Sequence, residues 1–357
     1  MGIKKLFLVC GNSVSKLEVY RRLCNILEEA GTEVFRFSGF KPNPEYASVV
    51  SGVSAFCENG CDGVMAIGGG SAMDVAKCIK LYARLNTKTD FLEQKCEPNN
   101  IPFIAVPTTA GSGSEATRFA VIYKDGVKMS ISNESAIPSC VIWSSDTLDK
   151  LSDYQKKSTV LDALCHCIES MWSVNSTDES KTYASRGIEL IFKGIDEYVS
   201  GDKSKNDIMM EAAYVAGHAI NITQTTAGHA MAYKLTGLYD FAHGHAVALC
   251  IDRLLPYMVE NIDKDNMCLD KRGTKHLKDT MLFLAHAMGG EYIEDVPAIF
   301  HELLVRLGLN TPVKYSEQQL EELVASVNIE RLRNHPVKLD DKSIKALYKQ
   351  IMSEGVK

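Results

Sequence analysis

Four residues have the types and spacing to hold a metal ion. Asp162 and His166 lie four positions apart in Asp162-Ala163-Leu164-Cys165-His166, and His229 and His243 follow, fourteen positions apart, in apolar surroundings rich in glycine. On a helix the first pair shares one face, one turn apart. One carboxylate with three imidazoles offers oxygen and nitrogen donors and no thiolate, a set that suits Fe²⁺ and Zn²⁺ alike. Cys165 and Cys167 flank His166 but cannot share its helix face, so they read as packing thiols.

A second chemistry is written in glycine. Gly68-Gly69-Gly70-Ser71 ends an apolar run and leads into helical residues that include Asp74. Glycine lets the backbone approach a ligand closely. The helix that follows presents unpaired N–H groups and a partial positive charge, which together suit a pyrophosphate. Ser71 is placed as a cap or an extra donor. The run is not the spaced Gly-x-Gly-x-x-Gly fingerprint, so a standard Rossmann assignment does not apply. Pro107-Thr108-Thr109-Ala110-Gly111-Ser112-Gly113-Ser114-Glu115 repeats the logic. Its Thr108, Thr109 and Ser112 suit hydrogen bonding to a phosphate or a nicotinamide carboxamide. Open α/β sheets bind ligands at the carboxyl ends of their strands. Gly11 and Asn12, which end the first apolar run, join the coenzyme candidates.

The elements that must position these residues follow from periodicity. Residues 6–10 predict a buried strand, and Leu17, Tyr20, Leu23 and Leu27 predict a helix over 15–30. A strand over 32–37, a helix over 45–59, a strand over 63–67, a helix from 72 to about 85 and a strand over 103–106 complete the rhythm. Alternation of this kind predicts a mostly parallel sheet with helices on both faces. Beyond about residue 150 the pattern turns helical throughout. The expected organisation is an α/β dinucleotide-binding domain over 1–155 and an all-α metal-binding domain over 156–357.

Composition narrows the class. A chain of 357 residues, 45% hydrophobic and 24% charged, has ample side chain for two cores. The 39 basic and 45 acidic residues are well mixed, so nucleic acid is not an expected partner. Eleven cysteines at irregular spacing predict free thiols in a reducing compartment. The apolar run after Met1 is too short for a signal segment or a membrane span. A cytoplasmic protein with no membrane partner is the expectation.

Taken in order, these segments resemble the iron-dependent, or group III, alcohol dehydrogenases over essentially the whole chain. The matching stretches are Pro42-Asn43-Pro44, Gly68-Gly69-Gly70-Ser71 with Asp74, Pro107-Thr108-Thr109-Ala110-Gly111-Ser112, Asp162-Ala163-Leu164-Cys165-His166 and the pair His229 and His243. The resemblance implies the dehydroquinate synthase-like architecture, with a metal in the cleft between the two domains. It implies Asp162, His166, His229 and His243 as ligands of Fe²⁺ (or Zn²⁺), NADH or NADPH as coenzyme, Lys128 as a coenzyme contact, and a homodimer. Within the family, residues 132–139, 169–180 and 221–229 resemble phosphonoacetaldehyde reductases, which reduce that aldehyde to 2-hydroxyethylphosphonate. A general short-chain alcohol or aldehyde dehydrogenase and a non-redox enzyme on the same scaffold are the alternatives.

Two departures from the family pattern matter. Where members often carry a further His, four residues after the third ligand, this chain has Tyr233, and it adds His245 after His243. Tyr233 or His245 is then the expected proton relay. Where many NAD-using members carry an Asp after the second strand, this chain has Ser38, so the 2′-phosphate of NADPH is not repelled. Arg118, Lys234 and His245 lie beside the motifs and are the candidates to meet an anionic substrate.

Overall fold

The computed structural model describes residues 1–264, 266–311, 313–327 and 332–352. The last five positions of the expected second domain lie outside the described residues. The chain divides after Leu151 into two units.

The first unit alternates strand and helix. Strands β1 (Lys5–Cys10), β2 (Glu33–Phe37), β3 (Gly63–Gly68) and β4 (Phe103–Pro107) are interleaved with helices α1 (Glu18–Glu29), α2 (Tyr46–Glu58) and α3 (Gly70–Tyr82). An antiparallel hairpin of β5 (Phe119–Lys124) and β6 (Val127–Ser132) precedes a short β7 (Cys140–Val141). The main sheet is parallel, in the order β2-β1-β3-β4-β7. Alternation along β1 sorts its side chains between two cores. Leu6 and Leu8, with Met65 and Ile67, pack under Tyr20, Leu23 and Leu27 of α1. Phe7 and Val9, with Val64 and Ala66, face Val49 and Val53 of α2 and Met73 and Ile79 of α3. Covered on both sides, β1 and β3 are continuous apolar runs, as central parallel strands must be. Strand order reverses between β1 and β3, and in such sheets the ligand crevice forms at that switch.

Three local expectations change. The helix expected from residue 15 starts at Glu18, because Asn12–Lys16 forms a 3₁₀ turn and Leu17 is extended. Ser15 Oγ donates to the Asn12 carbonyl at 3.0 Å, the local bond by which serine competes with a helix. Helix α3 starts at Gly70, with Gly69 as its N-cap, so Ser71 lies in the first turn and is not the cap. The β5–β6 hairpin was not expected at all. Its turn is Asp125-Gly126, both at positive φ, the pair that a two-residue hairpin favours.

The second unit is helical. It contains α4 (Asp153–Trp172), α5 (Asp178–Val199), α6 (Asn206–Thr223), α7 (Ala227–Tyr239), α8 (His243–Asn261), α9 (Thr274–Ala287), α10 (Asp295–Leu307), α11 (Glu317–Ala325) and α12 (Asp341–Ile351). Among the described residues the only β pairing there is an isolated bridge between Cys268 and Val337. Helix α4 is the centre of the unit, packed by α5, α6 and α8. It opens on a capping box, Ser152 with Gln155, and is almost wholly buried from Val160 onward. Two glycines let its neighbours close in. A Cβ on Gly187 of α5 would sit 2.5 Å from Cys167 Sγ, and one on Gly244 of α8 would sit 2.1 Å from the Ser158 carbonyl. None of the eleven cysteines is in a disulfide. No helix among the described residues is long and apolar enough to cross a membrane.

Candidate metal centre and coenzyme loops

Helix α4 carries Asp162, His166 and Glu169 at i, i+4 and i+7, one continuous face. His229 lies in the first turn of α7, and His243 is the first residue of α8. Donor atoms of Asp162, His166 and His229 lie within 4.8 Å of one another, and all three residues are buried. The rings of His166 and His229 stack at 4.5 Å, and that of His243 meets His229 at 5.4 Å. The close seat of Gly244 against α4 is what carries His243 to this point. The structure thus brings the donor atoms of Asp162, His166 and His229 together and sets the His243 ring beside that of His229.

Their electrostatics suit a cation. Asp162 Oδ1 and His229 Nε2 face each other at 3.5 Å, both buried, with no hydrogen-bond partner for either. Buried polar atoms are almost always satisfied, so such a pair calls for a further partner, and an ion accepting oxygen and nitrogen donors meets the need. Burial opposes ionisation of Asp162, but the imidazoles of His166, His229 and His243 outweigh it and hold the carboxyl well below its usual range.

Glu169 is a buried carboxylate on this face of α4 that the sequence reading did not single out. It is fully buried, and its Oε2 binds His229 Nδ1. Its Oε1 accepts from the backbone N–H groups of Thr226 at 3.0 Å and Gly228 at 2.8 Å and from the Thr226 hydroxyl at 2.6 Å. One carboxylate therefore caps α7 and orients the imidazole at its start, leaving Nε2 as the donor to the centre. Trp172 Nε1 completes the arrangement by donating to Thr226 Oγ1 at 2.9 Å. The available signal was the spacing, which continues the ligand face of α4 by one turn.

The remaining candidates of this unit separate. Tyr233 lies parallel to His243, with ring centroids 5.7 Å apart. His245 is buried with both ring nitrogens engaged, Nδ1 with the Tyr154 hydroxyl at 3.1 Å and Nε2 with the Leu309 carbonyl at 2.9 Å. The carbonyl can only accept, so Nε2 carries the proton and Nδ1 accepts from Tyr154. The same hydroxyl accepts from the Ala242 N–H at 2.9 Å, which ties down the start of α8. Lys234 is exposed and pairs with Glu322 at 3.9 Å. In the first unit, Arg118 pairs with Glu134 at 3.2 Å and lies over the Phe119 ring.

The coenzyme candidates gather at the carboxyl ends of the parallel strands. Gly11 and Asn12 follow β1, and the Arg36 guanidinium donates to the Gly11 carbonyl at 3.2 Å and to Asn12 Oδ1 at 3.3 Å. Ser38 follows β2 and is exposed. The loop after β3 meets the loop after β4. The Thr108 N–H donates to the Gly68 carbonyl at 3.0 Å. A Cβ on Gly69 would sit 3.1 Å from Thr109 Oγ1, and one on Gly70 would sit 3.4 Å from Ser112 Oγ. A side chain at residue 69 would crowd Thr109 by a few tenths of an ångström, whereas one at residue 70 would meet Ser112 at ordinary contact distance. Asp74 follows on α3, four residues after Gly70. Burial pushes its carboxyl up to about 6 against the pull of Lys77 and Lys128. It faces the hairpin, one turn beyond the glycines, and Lys128 on β6 is part of its surroundings.

Known proteins match most of the chain. Residues 1–145 match the family model described as iron-containing alcohol dehydrogenase, and residues 156–352 match that of the Fe-containing alcohol dehydrogenase family, C-terminal. The chain is 34% identical to alcohol dehydrogenase 4 of Saccharomyces cerevisiae over 72% of its length and 68% of that protein. It is 31% identical to phosphonoacetaldehyde reductase of Streptomyces viridochromogenes over 79% of its length and 74% of that protein. Among solved structures, sulfoacetaldehyde reductase from Bifidobacterium kashiwanohense in complex with NAD⁺ superposes with a TM-score of 0.85 at 26% identity, covering 99% of this chain and 92% of that one.

Proposed function

The chain belongs to the iron-containing alcohol dehydrogenase family, NAD(P)-dependent oxidoreductases of alcohols and aldehydes, and from that premise we propose that it reduces a small aldehyde to its primary alcohol at a centre held by Asp162, His166, His229 and His243. The observation that carries the reading is the approach of Asp162 Oδ1 and His229 Nε2, two buried atoms 3.5 Å apart without a hydrogen bond. Fe²⁺ or Zn²⁺, when bound there, supplies Lewis acidity toward a carbonyl oxygen.

The protein's own groups do the rest in this reading. Glu169 holds the proton of His229 on Nδ1 and so keeps the Nε2 lone pair directed inward. Tyr233, stacked on His243, offers its phenolic proton to the product oxygen. His245 has both nitrogens engaged and acts by holding the start of α8 through Tyr154. Gly68, Gly69, Gly70 and Ser71, at the N-terminus of α3, take the coenzyme pyrophosphate. Thr108, Thr109 and Ser112 add side-chain hydrogen bonds, Lys128 adds charge, and Gly11, Asn12 and Ser38 flank the adenosine end. Ser38 leaves the 2′-phosphate unopposed, so NADPH is accepted.

The substrate we favour is phosphonoacetaldehyde, on the strength of the relative at 31% identity. Arg118 and Lys234 are the cations offered to its phosphonate. Each pairs with an exposed carboxylate, a kind of pair worth about 1 kcal/mol or less, and each is therefore exchangeable for a dianion. The test is oxidation of NADH and of NADPH by the Fe²⁺-loaded protein, prepared without oxygen, with phosphonoacetaldehyde, propanal and lactaldehyde. The expected result is a kcat/KM for phosphonoacetaldehyde at least about a hundredfold above the other two, roughly 2.7 kcal/mol of transition-state discrimination. Equal values would leave a general short-chain aldehyde reductase.

A further inference from the structure

Lys77 lies on α3, seven residues beyond the last glycine of the Gly68–Gly70 run, and its side chain is fully buried. Burying an ammonium is costly unless every proton is bonded. Here Nζ lies 2.7 Å from the Thr117 carbonyl, 2.7 Å from the Phe119 carbonyl, 3.0 Å from Thr117 Oγ1 and 3.0 Å from Ser114 Oγ. All four acceptors belong to the segment that runs from the second coenzyme loop into β5. Ser114 hands the constraint onward. Its N–H donates to Ser112 Oγ at 3.3 Å, and Ser112 lies against Gly70. An unbroken path therefore leads from a charge inside the unit to the point where the two coenzyme loops meet. Nearby Glu115 is buried as well and adds a carboxyl to the surroundings of the ammonium.

One turn further along α3, Lys80 repeats the device. Its ammonium binds the Asn99 carbonyl at 3.1 Å and the Ser135 carbonyl at 2.5 Å. The two lysines grip the chain on either side of the β5–β6 hairpin. The helix that opens on the glycine run thus also fixes the loop facing that run.

We propose that Lys77 is a positioning residue for coenzyme binding, which holds the Thr108–Ser112 loop in register with Gly68–Ser71 through Ser114. The inference rests on the reading of these two loops as the coenzyme site. It predicts a loss of coenzyme affinity with metal binding and the KM of a neutral aldehyde unchanged, because the lysine touches none of the metal candidates; the carbonyls it holds flank Arg118, so the control substrate is a neutral aldehyde.

The experiment titrates NADH and NADPH onto the full-length protein by fluorescence, for the parent, Ser114→Ala and Lys77→Met, with thermal melting as a check on folding. Loss of one hydrogen bond in Ser114→Ala should raise the coenzyme Kd about threefold or more, and Lys77→Met should raise it about tenfold or more. Coenzyme KM should rise in parallel, while kcat at saturating coenzyme, the KM for propanal and bound metal stay within about twofold of the parent. If Lys77→Met does not fold, Ser114→Ala carries the test alone. An unchanged Kd in a folded variant overturns the proposal, as does a fall in kcat and metal content equal to the loss of coenzyme. A parent that binds neither coenzyme refutes the loop assignment itself, an outcome distinct from failure of the positioning role.

Discussion

Glu169 gives one oxygen to a helix end and the other to an imidazole, and both bonds bear on what His229 can hold. In Glu169→Gln one of the two positions must present an amide N–H where an acceptor is required. The expected outcome is a metal affinity about 10–100-fold weaker, measured by competition with a chromophoric chelator. An affinity equal to the parent's would show that the partner of Nδ1 does not matter. At this scale the sequence is readable wherever a side chain carries its own chemistry. Asp162, His166, His229 and His243 announce themselves by type and spacing. Glu169 does not, because its importance lies in a backbone 57 to 60 positions away that only the packing of α4 on α7 brings to it. The converse holds for Asp74 and His245. Their types suggested chemistry, while the partners that His245 holds, Tyr154 and Leu309, and the Lys128 charge near Asp74 come from distant stretches of chain.

Among the elements, the junction of α8 with α4 sets the fourth candidate ligand. Gly244 follows His243 and has Ser158 and Asp162 where a side chain would begin. Gly244→Ala should push α8 outward, cost about 1–3 kcal/mol of stability, and withdraw His243 from the cluster. Denaturant midpoints and metal content of the purified variant measure the two effects. Full metal retention would separate the helix contact from the site. No periodicity marks such a glycine, since its necessity is a property of two helices at once. The strands and helices themselves were readable because each buries a face at its own period. Helix α1 starts later than its apolar spacing suggests, where Ser15 bonds locally, and the β5–β6 hairpin hid behind its own signal, Asp125-Gly126.

For the molecule as a whole, the chemistry is divided between stretches of chain. All four ligand candidates belong to the unit that begins at Ser152, and every loop assigned to the coenzyme belongs to the unit that ends at Leu151. A ligand that binds only the native state stabilises what it binds. Removing the metal with a chelator should therefore raise hydrogen exchange in α4, α7 and α8 and leave β1 to β4 unchanged. Equal deprotection of both units would refute this separation. The two-unit plan is visible in sequence as a change of rhythm, from alternating strands to unbroken helical spacing near residue 150.

The division has a bearing on substitution. The glycine run, the Lys77 anchor and Ser38 all precede the joint, and the carboxylate–imidazole cluster with its Glu169 buttress all follows it. On the proposed assignments, a substitution ahead of Leu151 alters the coenzyme half and leaves the residues of the carboxylate–imidazole cluster unchanged. In the proposed reading, coenzyme choice and metal choice rest on separate stretches of this chain.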